Sequence, residues 1–212
     1  MSTVPESPPG AAKRPEPTLP IRSARAEDID AYVQHIVEHV AESGREGAPH
    51  FAMSRRVQRD EVREAALTRW TRRLDEPLWG RSWLLWDAPR SADAAASPTP
   101  GAARARRARV VGHIELRGGR IPSEMHRAVV GLGILRAHTG QGHGGRLIAA
   151  AVEWAKTVAK LEYVDLGVFS NNEPARKLYR RAGFVEIGVR SDAFRIDEGV
   201  RVDDVLMVLD IR

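Results

Sequence analysis

The chain of 212 residues contains no cysteine. Disulfide bonds, thiolate metal sites and a cysteine nucleophile are therefore excluded. It also has no apolar run near the roughly 18 residues that a membrane span requires. The N-terminal region lacks the apolar core of a signal peptide, and its Glu6 and Glu16 argue against a transit peptide. We therefore expect a cytoplasmic protein without a membrane partner.

A strong excess of charge is also missing. The sequence has 33 Lys and Arg against 28 Asp and Glu, a formal net charge of +5. This balance favours anionic partners such as phosphorylated cofactors, but it is too small to indicate nucleic acid by itself. The hydrophobic share of 42% and the charged share of 29% are those of an ordinary globular protein. The length suits one well-cored domain.

Two segments contain few large apolar side chains that a core could bury. Residues 1–19 are rich in proline, and we predict a disordered tail. Residues 88–108 lie between two apolar strands and are predicted to be a flexible basic insertion within a single domain that covers residues 20–212. The arginines at 104–109 could touch an anionic surface, but a solvated loop explains such a short charge run better, so we do not expect a nucleic-acid partner.

Between these segments, hydrophobic periodicity predicts the element order β-α-α-β-β-β-α-β-α-β-β. An apolar stripe with helical spacing begins at Ile29, a second at Val62, and a third follows a glycine cluster at Leu147. The apolar segments 81–88, 109–116, 127–135 and 163–169 are predicted strands. The final two predicted strands of the chain, at 184–196 and 201–211, form an antiparallel hairpin. The pattern is that of a mixed α/β sandwich with one parallel crossover.

Residues 35–39, His-Ile-Val-Glu-His, match the His-x-x-Glu-His pattern of inverted zinc peptidases. His35 and His39 would share one helix face, as zinc requires. The same helix carries an apolar stripe, however, and no later Glu-rich helix supplies a third ligand. We therefore interpret the segment as part of a surface helix and predict no metal site.

The glycine cluster at 140–145 fits two phosphate-binding patterns literally. The first, Gly-x-Gly-x-x-Gly, belongs after the first strand of a dinucleotide fold and before several βαβ units, whereas here only a short α/β stretch and a hairpin follow. The second, the P-loop, needs Gly-Lys-Ser/Thr, whereas this chain has Gly145, Arg146 and Leu147. Both patterns fail on context.

A third arrangement fits better. Gly142-x-Gly144-x-x-Leu147 and a downstream signature at 172–184 follow one another across one strand-helix unit. In this combination the chain resembles the GNAT superfamily, the Gcn5-related N-acetyltransferases. The matching downstream positions are Asn172, Ala175, Leu178, Tyr179, Gly183 and Phe184. One position departs from the pattern, because Thr139 stands where the family has Arg or Gln.

The resemblance implies a mostly antiparallel central sheet flanked by helices. It implies transfer of an acetyl group from acetyl-CoA, as co-substrate, to a primary amine of a small molecule or peptide N-terminus, by direct attack. The alternative is a catalytically silent acyl-CoA sensor of the same shape. Homodimers are common in the family.

The resemblance also implies the cofactor site. Gly142 and Gly144 carry the pyrophosphate loop, with Gly140 and Gly145 as permissive neighbours. The end of the preceding strand offers backbone groups to the pantetheine arm. Asn172 also contacts that arm, although an N-cap would explain it almost as well. The predicted cofactor-binding residues are Leu132, Gly133, Ile134, Leu135, Arg136, Thr139, Gly140, Gln141, Gly142, His143, Gly144, Gly145, Arg146, Asn172, Ala175 and Tyr179.

Two catalytic residues are expected. Tyr179 matches the family's acid for the leaving thiolate, the alternative being a half-buried aromatic on an amphipathic helix. Glu115 is the predicted base, because strand alternation places it with His113 on one face. Its alternative is a solvated strand face. Related enzymes often carry their glutamate where this chain has Gly167.

Overall fold

The fold is described from a computed structural model that covers residues 18–52, 56–87, 108–196 and 199–212. The predicted tail at 1–19 and the predicted insertion at 88–108 lie almost entirely outside these described residues. The predictions made for those two segments therefore remain predictions.

The elements follow the predicted order, with seven strands and four α-helices in the described ranges. The helices are α1 (Ile29–Ala41), α2 (Arg59–Thr71), α3 (His143–Thr157) and α4 (Glu173–Arg181). The strands are β1 (Ile21–Ser23), β2 (Gly80–Asp87), β3 (Arg109–Gly118), β4 (Arg127–Ile134), β5 (Tyr163–Phe169), β6 (Val185–Arg195) and β7 (Arg201–Asp210).

All seven strands belong to one sheet in the order β1-β2-β3-β4-β5-β7-β6. Every neighbouring pair is antiparallel except β4 and β5, which are parallel. This parallel pairing extends only from Arg127–Val129 against Tyr163–Asp165. Beyond it β4 stays paired with β3, and β5 stays paired with β7. The carboxyl-terminal halves of β4 and β5 therefore separate and leave a slot in the middle of the sheet.

The two faces of the sheet are covered by different helices. The larger hydrophobic core includes Leu147, Ile148 and Ala151 of α3, packed with Ile114 and Leu116 of β3. A smaller core on the opposite face joins α1 and α2 to β2 through residues such as Ile29, Val33 and Leu84. The slot between β4 and β5 thus opens between two independently packed layers.

Helix α4 begins and ends as its sequence predicts. The Asn172 side chain accepts a hydrogen bond from the Ala175 backbone N–H at 3.2 Å, which confirms the N-cap. Pro174 lies in the first turn, where its missing N–H has no intrahelical partner to lose. Gly183 follows the helix with a φ of +95°, a left-handed conformation that suits glycine.

Within the described ranges, the helices are all too short or too polar to cross a membrane.

Candidate functional site

The slot provides backbone groups that no strand uses. Past Val129, the edge of β4 that faces β5 has no strand partner among the described residues. The chain continues along β3 through a hydrogen bond of 2.9 Å from Leu135 N–H to the Val111 carbonyl. The predicted cofactor-binding segment Leu132–Leu135 therefore borders the slot, with polar backbone groups that a bound molecule could pair.

The glycine loop lies directly after this segment and forms the start of α3. Gly142 is the N-cap residue and has a left-handed backbone with a φ of +80°. In the first turn of α3, the N–H groups of Gly144 and Gly145 have no carbonyl partner within the helix. Such a helix end attracts anions, because unpaired N–H groups and the helix dipole point the same way.

The glycines in this loop have different roles. Gly140 has a φ of +73°, so it is more than the permissive neighbour that the sequence suggests. A Cβ atom built on Gly144 would lie 2.7 Å from Leu178 Cδ2, so this glycine allows α4 to approach α3 closely. Gly145 has no positive φ, and a Cβ atom added there would meet no atom within 4 Å, so it remains a permissive neighbour.

Side chains of the loop hold its shape. The Thr139 hydroxyl donates to the Arg136 carbonyl at 2.8 Å, which gives a structural reason for threonine at this position. Gln141 donates to the Ala137 carbonyl at 3.2 Å, and its Oε1 lies 3.2 Å from His143 Nε2. Arg146 Nη1 donates to the Leu19 carbonyl at 2.9 Å. The side chains of Thr139, Gln141 and Arg146 are therefore engaged in contacts with the protein itself.

Arg136 connects the loop to the end of α1. Its backbone N–H donates to Glu42 Oε2 at 2.9 Å, and its Nη1 pairs with Glu46 Oε2 at 2.6 Å. Its Nη2 donates to the Arg45 carbonyl at 2.6 Å. The segment after α1 therefore covers the entrance to the glycine loop from the α1 side of the sheet.

Tyr179 of α4 is buried in the larger core, where its ring meets the edge of Phe184 with centroids 5.5 Å apart. Burial raises the pKa of the phenol to about 12, because the charged form would lose hydration. The hydroxyl has no hydrogen-bond partner among the described residues. It therefore keeps its proton at neutral pH and can donate it in a hydrogen bond.

Glu115 is buried on β3, so the alternative of a solvated strand face is wrong. Its Oε1 accepts a hydrogen bond of 2.7 Å from Arg69 Nε of α2, and the two form a salt bridge. Its β4 partner is Gly131, which has open space above its Cα. The carboxylate thus lies beside the slot, but its charge is compensated by Arg69.

Three histidines form a cluster, defined here as His35, His39 and His113, on the α1 face of the sheet. His35 is only 1% exposed, and its Nε2 lies 2.8 Å from His113 Nδ1. The His39 ring stacks on Phe51 with centroids 4.4 Å apart. Helix α1 is amphipathic, with Asp30 and Gln34 exposed, and both histidines of the 35–39 pattern lie on the face that turns toward the sheet.

The cluster is neutral and borders the slot. Burial lowers the pKa of His35 to about 3 and that of His39 to about 4, and it lowers the pKa of His113 well below its usual range. A Cβ atom on Gly133 would lie 2.6 Å from His39 Nε2 and 2.7 Å from His113 Cε1. The histidines therefore pack directly on the strand segment that borders the slot.

No group of three or more His, Asp or Glu side chains in the described part of the chain is arranged to hold a metal ion. The His35 and His113 rings contact each other directly, through Nε2 and Nδ1. The spacing of His35 and His39 correctly placed them on one helix face. Their contact with His113 depends on the packing of α1 against β3, which periodicity does not reveal.

The opposite wall of the slot carries a carboxylate that sequence reasoning missed. Asp204 of β7 is buried, and a Cβ atom on Gly167 of β5 would overlap its Oδ1. Its Oδ2 pairs with Arg190 Nη2 of β6 at 3.1 Å. The space that a side chain at position 167 would fill is therefore occupied by Asp204.

Comparisons with known proteins identify the family and the fold. A sequence model of the acetyltransferase (GNAT) family matches residues 60–184. Three solved structures share the fold with high similarity. The first is yncA from Salmonella typhimurium with its cofactor acetyl-CoA, at 17% identity and a TM-score of 0.68, where the match covers 92% of this chain and 95% of that one. The second is ribosomal-protein-alanine N-acetyltransferase from Brucella melitensis, at 19% identity and a TM-score of 0.67, with 91% of this chain and 99% of that one covered. The third is spermidine N-acetyltransferase from Vibrio cholerae with CoA and spermine, at 21% identity and a TM-score of 0.63, with 91% of this chain and 95% of that one covered.

Proposed function

We propose that this chain, which belongs to the acetyltransferase (GNAT) family, transfers an acetyl group from acetyl-CoA to a primary amine. The observations that carry the proposal are the slot between β4 and β5 and the start of α3, where the N–H groups of Gly144 and Gly145 have no carbonyl partner within the helix. The slot suits an extended arm with amide groups, and the helix end suits a pyrophosphate. These two features lie next to one another along the chain.

Acetyl-CoA as co-substrate would supply a thioester carbon for attack. The amine nitrogen forms a bond to that carbon, the carbon–sulfur bond breaks, and the sulfur leaves as a thiolate. The nitrogen gives up one proton in the process. The protein must therefore hold the thioester, accept that proton and stabilise the sulfur.

We assign stabilisation of the sulfur to Tyr179. Its phenol, with a pKa of about 12, is a weaker acid than a thiol with an ordinary pKa of about 8.5. Full proton transfer from Tyr179 to the thiolate would then be uphill. Its role is better described as donation of a hydrogen bond to the departing sulfur, which needs only that the hydroxyl remain protonated.

Two side chains compete for the role of base. Glu115 is the predicted base, but its carboxylate is already paired with the Arg69 guanidinium. His39 is uncharged at neutral pH and lies over Gly133 at the slot. The variants Glu115→Gln and His39→Phe distinguish the two candidates. The variant that removes the base should lower kcat and leave the KM values of both substrates unchanged.

The acceptor stays open between a small-molecule amine and a peptide N-terminus. The Vibrio cholerae relative is a spermidine N-acetyltransferase, and the Brucella melitensis relative is a ribosomal-protein-alanine N-acetyltransferase. Either acceptor would reach the slot from the α1 face, where the histidine cluster and Asp204 form opposite walls.

Thiol release from acetyl-CoA across a panel of amines tests the proposal. The panel includes polyamines, aminoglycosides, amino acids and peptides with free N-termini. We expect thiol release that depends on the amine and on the enzyme. Tight CoA binding without turnover on any amine would favour the silent acyl-CoA sensor instead.

A further inference from the structure

We propose that Asp204 binds the ammonium group of the acceptor, so that the acceptor is a cationic alkyl amine. This inference rests on the proposed acetyl transfer and names the class of amine that the site takes. An alkyl amine has a pKa near 10, so it reaches the protein in its protonated form. A carboxylate beside the slot would recognise that charge before the ammonium gives its first proton to the base. The second proton leaves the nitrogen after the attack, and one of the two ends on the departing thiolate.

The strand register places Asp204 at the slot. Its Cα is paired with Phe169 on β5, and its side chain leans back across Gly167. Val129 is paired with Asp165 where the parallel pairing ends. Two residues further along each strand, Gly131 and Gly167 therefore lie at the same level on the two sides of the slot. The carboxylate therefore lies on the β5 side, level with the segment of β4 that borders the predicted thioester site.

The space between the two walls is open. A Cβ atom on Gly131 would meet no atom within 4 Å, Gly167 is exposed, and Val129 is 44% exposed. These residues, which lie on the same face of the sheet as Asp204 and Glu115, form the floor of a groove. The exposed positions on this floor are accessible to an acceptor chain that approaches from this face.

The charge of Asp204 is only partly satisfied. Its side chain is 8% exposed, and Oδ2 is paired with Arg190, whose own side chain is 59% exposed. Oδ1, which lies over Gly167, has no hydrogen-bond partner among the described residues. A carboxylate oxygen without a donor from the protein can accept a hydrogen bond from a ligand, and an ammonium group supplies a charge-assisted one.

The surrounding groups leave Asp204 as the available anion. Glu115 across the groove is paired with Arg69, whose side chain is only 24% exposed, whereas the Arg190 that pairs with Asp204 is mostly exposed. The histidine cluster is neutral. Arg190 is the competing cation, since it occupies the other carboxylate oxygen. Because the Arg190 side chain is 59% exposed, its guanidinium can be hydrated when it leaves the carboxylate, so an acceptor ammonium can share the carboxylate or displace the arginine.

The experiment uses Asp204→Asn and Arg190→Gln in the full chain, with 1,4-diaminobutane as the cationic acceptor. We expect Asp204→Asn to raise the KM for this diamine by about tenfold or more, because a hydrogen bond to a charged group is lost. Arg190→Gln should leave that KM unchanged or lower it, because it removes the competing cation. If the two residues form only a structural pair, both variants would raise the KM alike, and this result would overturn the inference.

An arylamine that is uncharged at neutral pH provides the substrate control. Its KM should be the same for the wild type and for Asp204→Asn, and an equal rise for both amines would overturn the inference. Gly167→Ala is the second variant, since its methyl group displaces the Asp204 carboxylate. It should reproduce the effect of Asp204→Asn. Thermal unfolding and CoA affinity verify that each variant is folded.

Calorimetric titration of 1,4-diaminobutane into the protein with CoA separates this inference from the proposed function. Diamine binding that Asp204→Asn weakens about tenfold, without acetyl transfer by the wild type, would support the inference and overturn the transfer reaction. Acetyl transfer with diamine binding that is insensitive to Asp204→Asn would overturn the inference alone. Failure of the wild type to bind the diamine would also overturn it.

Discussion

His35 Nε2 lies 2.8 Å from His113 Nδ1, and this contact connects helix α1 to the centre of strand β3. One imidazole must donate and the other must accept, so the pair is held best when both rings are neutral. Desolvation keeps them neutral by lowering both pKa values below the ordinary 6.5. The protein interior beside the slot therefore accommodates histidine in its uncharged form.

This arrangement predicts that acid destabilises the fold. Since the folded pKa of His39 is about 4 and the ordinary value is 6.5, the unfolded chain binds more protons between these values. The free energy of unfolding should therefore fall as the pH drops from 6.5 toward 4, by about 1.4 kcal/mol per pH unit for each such histidine. Above pH 6.5 the histidines should contribute no slope. Urea unfolding at several pH values measures how the free energy of unfolding changes with pH.

His39→Phe should make this slope shallower while it keeps a ring to stack on Phe51. The matched control is His126→Gln, because His126 is exposed. An unchanged slope in His39→Phe, or an equal change in both variants, would contradict burial of a neutral histidine cluster.

A methyl group at Gly133 should disturb the packing of the histidine cluster on β4. Gly133→Ala brings a Cβ atom to 2.6 Å from the His39 ring, whereas Gly131→Ala places one in open space. We expect Gly133→Ala to lower stability by about 1–3 kcal/mol through overpacking and Gly131→Ala to lower it much less. Differential scanning calorimetry compares the two. Equal melting temperatures would show that the histidine cluster does not pack on Gly133.

Backbone conformation in the glycine loop should control CoA affinity. Gly142→Ala forces a side chain into a left-handed backbone with a φ of +80° at the start of α3. Gly199→Ala imposes the same strain at a φ of +75° in the β6–β7 connection. Both should cost about 1–2 kcal/mol in stability. Only Gly142→Ala should weaken CoA binding measured by calorimetry, and a similar loss in Gly199→Ala would indicate a general folding defect instead.

Tyr179→Phe should lower kcat by about 100-fold and leave the KM for acetyl-CoA nearly unchanged. The phenylalanine keeps the buried ring and its contact with Phe184, so the fold should be retained. Because the pKa of Tyr179 is about 12, wild-type kcat should show no loss from its ionisation below about pH 10. Tyr163→Phe on β5 is the control, and an equal loss of kcat in it would contradict a specific role for Tyr179.

Much of this organisation could be predicted from local patterns. Apolar periodicity predicts the element order, since each helix and strand buries one face. Asn172 and Gly183 correctly mark the ends of α4, because capping depends on neighbouring residues alone. The position of β7 between β5 and β6 was harder to predict, because a hairpin alone does not determine which of its strands joins the sheet.

The walls of the slot required tertiary structure. His35 and His39 share a helix face in the sequence, but their partner His113 is 78 residues from His35 along the chain. Gly167 suggests a missing side chain, and only the pairing of β5 with β7 shows that Asp204 fills its place. Contacts between distant strands depend on register and on the splay of β4 from β5, which no local pattern encodes.

The most direct test of acetyl transfer is to quantify both products of one reaction by mass spectrometry, free CoA and acetylated 1,4-diaminobutane. We expect the two products to form in equal amounts and Tyr179→Phe to slow the formation of both in parallel. Binding of acetyl-CoA with no acetylated amine, for this diamine or for any amine in the panel, would contradict the claim that this chain is an N-acetyltransferase.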